Sequence, residues 1–125
     1  AAVGRKVVPE ATWIVGDVFA MPDLGRFDWV ISNPPFGSTK RTGNGPRYSG
    51  REFVYHVIDI ASDLASFGAF IIPQMAAPFR FSGVAHYRAA PSPQHDAFAK
   101  ATGIELQASS IDTAYHADGW RGVAP

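Results

Sequence analysis

The chain contains no cysteine, which excludes a disulfide framework and thiolate chemistry and leaves the redox compartment unmarked. Its four histidines are scattered and show no zinc-ligand spacing, so no metal site is expected. No apolar run approaches the ~20 residues that span a bilayer, and no basic-then-apolar leader opens the sequence. The expectation is a cytoplasmic protein with no membrane partner. Charge of one sign is also missing: eleven basic side chains balance eleven acidic ones. Any nucleic-acid binding must then come from a local patch rather than from net charge. There is no repeat and no low-complexity tract. What is present, 46% hydrophobic and 18% charged residues in 125 positions, is the composition of one folded domain.

Period and punctuation divide the chain into elements. "ATWIVGD" (11–17) is a short apolar run closed by a glycine and an acid, which predicts a first buried strand ending at a loop. "FDWVIS" (27–32) resumes an apolar, β-favouring run that Pro34 and Pro35 must end, a second strand. The segment 38–50, "STKRTGNGPRYSG", has basic side chains and turn formers but no apolar period, and predicts a mobile basic loop. Val54, Val57, Ile58, Ala61, Leu64 and Ala65 recur at spacings of three and four, which predicts a helix over 51–67 with Gly68 as its C-terminal cap. "AFIIP" (69–73) reads as a third strand. Ser92, Pro93 and Gly103 mark the N-cap, first residue and terminator of a second helix, and "IELQASSI" (104–111) alternates weakly as a fourth strand. Trp13, Trp29 and the strand phenylalanines are expected in the core, and the histidines in packing or surface roles. Strands alternating with helices imply an α/β architecture with a mostly parallel sheet, in which ligands bind beyond the carboxyl ends of the strands. Asp17 and Asn33 fall at that position.

"NPPF" (33–36) is the unusual stretch. Each proline locks its own φ, and the first restricts Asn33 as well. Two amide hydrogens are absent, so the motif offers acceptors without competing donors. The Asn33 side-chain oxygen and the Pro34 carbonyl could each accept one hydrogen of an exocyclic amino group, with Phe36 stacked on the ring that carries it. Pro35 holds the turn rigid. These residues suit a planar aminated substrate.

"VISNPPFG" resembles the (D/N/S)PP(Y/F/W) motif of the class I methyltransferases that act on amino groups with S-adenosylmethionine, in particular the adenine-N6 enzymes of DNA and RNA. The resemblance covers roughly residues 10–75. It implies a Rossmann-like sheet; Asn33, Pro34, Pro35 and Phe36 as catalytic residues; and Asp17, Val18, Phe19 and Asn33 as cofactor-binding residues. Lys40, Arg41, Arg47 and Tyr48 would contact the flanking nucleic acid.

The family's glycine-rich loop and second acidic residue have no counterpart here, because the sixteen residues before Asp17 hold no GxG pattern. The expectation is therefore a partial catalytic domain over 1–125 that begins after the family's second strand. Such a chain would be inactive alone, or completed by a second copy or a partner chain supplying the cofactor-binding half. Two further readings stay open: a fragment that binds nucleic acid or a partner without turnover, and methylation of a protein glutamine.

Overall fold

The computed structural model describes residues 2–109 and 111–119. A short helix α1 (Ala2–Val7) is followed by an irregular segment and a 3-10 turn (Val18–Ala20). Strand β1 (Phe27–Ser32), helix α2 (Phe53–Leu64) and strand β2 (Ala65–Phe70) come next. After a second 3-10 turn (Gln74–Ala76) come the two-residue strands β3 (Phe79–Arg80) and β4 (Arg88–Ala89), helix α3 (Pro93–Thr102) and a 3-10 segment (Thr113–Gly119). The chain is mixed α/β.

β1 and β2 pair in parallel, with Trp29 opposite Phe67 and Ile31 opposite Ala69. Parallel strands need a long crossover, and residues 33–52 with α2 supply it. One face of the pair carries Val30, Ser32 and Phe70, all partly buried; Phe70 packs on the core. The core consists of Tyr48, Val54, Tyr55, Ile58, Ala76 and Phe98. Tyr55 stacks on Phe98 with centroids 4.5 Å apart, and its hydroxyl donates to the Ala76 carbonyl at 2.7 Å. Each such fully buried side chain contributes roughly 1.5–3 kcal/mol. Helix α3 begins as its sequence predicts. Ser92 Oγ accepts from the His95 amide and donates to the Met75 carbonyl, and Gly103 closes the helix at φ 72°.

Several elements differ from their sequence patterns. Residues 11–17 form no strand, and Ile14 and Val15 are exposed. Local contacts hold this segment instead: the Trp13 indole donates to the Val8 carbonyl at 3.0 Å and lies against Gly4 of α1. Helix α2 stops at Leu64, three residues early, and Gly68 is a strand residue rather than a cap. The ladder to β1 claims 65–70 in place of the expected 69–73, because pairing from Phe27 onward outweighs one more helical turn. Residues 104–109 do not pair, although Ile104 and Leu106 still face the core in alternation with exposed neighbours. Residue 110 and Trp120 lie outside the described residues.

The aromatic residues of the sheet are not core. Phe27, Trp29, Ile31 and Phe67 share the face opposite Phe70, and all are more than half exposed; Trp29 stacks on Phe67 at 5.4 Å. Trp13 is also exposed, at 37%. Parallel sheets are normally covered on both faces, and here no described element packs on this one.

Candidate functional site

The site starts where β1 ends. Ser32 is the last paired residue, and its carbonyl still accepts from the Ile71 amide at 3.1 Å, so the sheet register persists to the edge of the NPPF turn. Pro34 is buried, Phe36 is half-buried, and Asn33 and Pro35 are exposed. The Asn33 side chain has no hydrogen-bond partner among the described residues. Gly37 turns the chain at φ 76°, where a side chain would be strained, and its carbonyl accepts from the Phe53 amide at 3.0 Å. That bond satisfies one of the open donors at the start of α2 and fixes the motif to the helix.

Asp17 reaches the same region without a strand behind it. It caps the 3-10 turn that starts with half-buried Val18: Oδ1 accepts from the Phe19 amide at 2.9 Å, and Oδ2 accepts from the Thr42 hydroxyl at 2.5 Å. The Thr42 bond, then the Phe19 bond, lowers the carboxyl pKa. The Phe19 ring meets Phe53 and His56 edge-on at 5.5 and 6.1 Å. Residues from the 17–20 turn, the loop and the first turn of α2 therefore meet beside the end of NPPF.

The loop 38–50 has no regular structure but is bound along much of its length. Buried Asp59 of α2 accepts from the backbone amides of Arg47 and Tyr48 at 2.7 and 2.8 Å, and from Arg47 Nε at 2.7 Å. Arg47 also donates to Ser62 and Asp63, and the Asp59 bond foremost raises its pKa. Tyr48 is buried against Tyr55 and Phe98, and burial raises its pKa. Neighbouring His56 is fully buried. Its Nδ1 accepts from the Gly45 amide, and Nε2 stands 2.9 Å from the Gly50 carbonyl. That pairing requires the neutral ring with its proton on Nε2, and burial lowers its pKa. Gly45 has no side chain for a physical reason: a Cβ there would collide with the Asp59 carboxylate.

No family model, curated protein or solved structure matches the chain.

Of the four residues expected at a nucleic-acid surface, Arg47 and Tyr48 are turned into the α2 network and the core. Arg41 bonds to the carbonyls of Gly50 and Arg51 and to Asn44, which leaves Lys40 as the one of the four with no ion pair or hydrogen bond among the described residues. Lys40 and Arg41 line an open, polar depression of about 510 Å³ with Ser38, Thr39, Thr42, Gly43 and Asn44. The loop is thus tied to α2 through Asp59 and His56. Sequence reasoning missed the anchor, His56 and Asp59. The signal was two polar residues three apart inside the apolar stripe of α2. The described residues fit S-adenosylmethionine in part: the exposed Asp17 carboxylate could accept from an adenine amino group beside its bonds to Phe19 and Thr42, and half-buried Phe19 is an apolar neighbour, but no described residue is matched to the methionine and ribose portions. No group of three or more potential metal ligands occurs among the described residues.

Proposed function

We propose that the chain is the substrate-binding part of a Rossmann-like methyltransferase that transfers a methyl group to an exocyclic amino group, the N6 of adenine in DNA or RNA. The observation that carries this reading is Asn33: an exposed, unbonded amide at the carboxyl end of a parallel strand, on a backbone fixed by two prolines and by the Gly37–Phe53 bond. When bound, S-adenosylmethionine supplies an already activated methyl group. The chain's own task is positioning and preorganised electrostatics. Asn33 Oδ1 and the Pro34 carbonyl hold the two amino hydrogens, which favours a more tetrahedral nitrogen with an available lone pair, and Phe36 stacks on the base. A base taken from a duplex must first be flipped out, at a cost of roughly a few kcal/mol that stacking partly offsets. No strong base is required of the protein.

A second reading, a module that binds nucleic acid or a partner without turnover of its own, draws support from the uncovered face of β1 and β2. Calorimetric titration of S-adenosylmethionine, with Asp17→Ala as control, is the first test. Binding lost in the control supports a chain that rebuilds a full cofactor site, alone or as an oligomer; no binding supports half of a methyltransferase, and methyl transfer on addition of the missing half then separates that half from the module. With the cofactor-binding half present, Asn33→Ala is expected to abolish methyl transfer, measured with isotopically labelled cofactor on DNA and RNA, and to leave thermal unfolding unchanged. Wild-type turnover in that variant would sink the amino-group reading.

A further inference from the structure

The hairpin of β3 and β4 places two arginines directly opposite each other, Arg80 against Arg88, both exposed. Side chains opposite one another in an antiparallel pair share a face, with Cβ atoms about 4.5–5.5 Å apart, and like charges so placed repel. No ion pair or hydrogen bond among the described residues engages either guanidinium. The sequence from 64 to 95 contains no Asp or Glu. Asp112, which touches the hairpin, spends one carboxylate oxygen on the amides of Gly83 and Ala114 at the turn.

The ribbon is nevertheless held in place. Ala90 donates to the Pro78 carbonyl at 2.8 Å, Gln74 donates to the Phe79 carbonyl, and Ser82 pairs with Thr113 at 2.7 Å. Phe79 and Tyr87 meet at 5.8 Å. By strand alternation they belong to the opposite face from the arginines. A like-charge pair fixed at this spacing on an anchored ribbon is complementary to an oxyanion, which converts repulsion into charge-assisted bonds from two planar guanidinium forks.

We propose that Arg80 and Arg88 clamp a backbone phosphodiester of a single-stranded polynucleotide. The proposal rests on the nucleic-acid reading above but concerns a part of the chain that the NPPF motif does not reach. The test is fluorescence anisotropy of a short labelled single-stranded oligonucleotide between about 50 and 200 mM salt, using the wild-type chain, Arg80→Gln/Arg88→Gln, and a charge-matched control, Lys6→Ala/Lys100→Ala. The double glutamine variant is expected to bind several-fold more weakly, with the slope of log affinity against log salt reduced by about 1.4, two contacts at about 0.7 each. The control is expected to match wild type.

An unchanged slope in the glutamine variant, or an equal loss in the control, overturns the clamp while leaving the nucleic-acid reading intact. No oligonucleotide binding by wild type overturns both. A calorimetric signal for inorganic phosphate that the glutamine variant loses, with oligonucleotide binding unaffected, would assign the pair to free phosphate and also overturn the proposal. Arg80→Lys/Arg88→Lys guards against a folding artefact: it is expected to keep the salt slope while losing affinity, because the charge remains and the fork does not.

Discussion

Replacing Asp59 tests how the loop is held. Its carboxylate is fully buried and accepts two backbone amides and the Arg47 Nε. Asp59→Ala strands the two amides, one of them on buried Tyr48, and leaves the guanidinium without its nearest partner. Stranded buried donors cost about 1–3 kcal/mol each, and breaking a buried ion pair costs about 3–5 kcal/mol. The two figures overlap, and Arg47 is partly exposed and keeps Ser62 and Asp63 as partners. A net loss of about 3–5 kcal/mol is therefore expected. Asp59→Asn keeps one oxygen for the two amides but sets its Nδ2, a donor, against Arg47 Nε, so the charge-assisted bond is lost while Ser62 and Asp63 still hold the guanidinium; its expected cost is about 1–2 kcal/mol. At about 4 °C per kcal/mol for a domain of this size, Tm falls by about 12–20 °C for alanine and about 4–8 °C for asparagine. Circular dichroism melts and urea titrations give both values. A loss below about 1 kcal/mol for alanine, or equal losses for the two variants, would refute the claim that the backbone amides, more than the arginine, carry the anchor.

His56 predicts a pH dependence. Burial depresses its folded pKa below the unfolded value of about 6.5, so its contribution is complete above that pH and is lost as pH falls toward the folded pKa. The urea midpoint should drop between about pH 7.5 and about pH 5.5, and His56→Gln should flatten that drop; an unchanged pH dependence in the variant would assign it elsewhere. Trp29→Ser removes the largest member of the open sheet face and should reduce binding of an apolar dye such as ANS, with a stability loss of no more than about 1.5 kcal/mol from the Phe67 stack. A larger loss would mean that the face is packed in solution.

What the sequence made legible was local. Ser92, Pro93 and Gly103 announce α3 because capping depends on the residue at the cap and little else. Pro34 ends β1 because proline cannot donate. The segment 11–17 misled because an apolar run says that a strand would be welcome, not that a partner edge is free. Gly68 misled because glycine marks both helix ends and close strand packing, and only the ladder to β1 decides between them. The site shows the same split. Asn33 stands directly after β1, which ends where the apolar run and the prolines predict, whereas Arg47 and Tyr48 look like surface residues until Asp59, eleven positions beyond Tyr48, is known to lie beneath them.

α2 passes into β2 without a single intervening residue, Leu64 helical and Ala65 already extended. A loop would absorb changes in chain length; this junction has none. One residue inserted there would exchange the two faces of β2, sending Phe67 toward α2 and Phe70 outward, and one deleted would do the same. The junction therefore tolerates substitution far better than insertion or deletion. A tag or fused domain placed there would scramble the sheet, whereas an exposed turn such as the one at Gly25, held among the described residues only by its local bond to Asp23, can take added length.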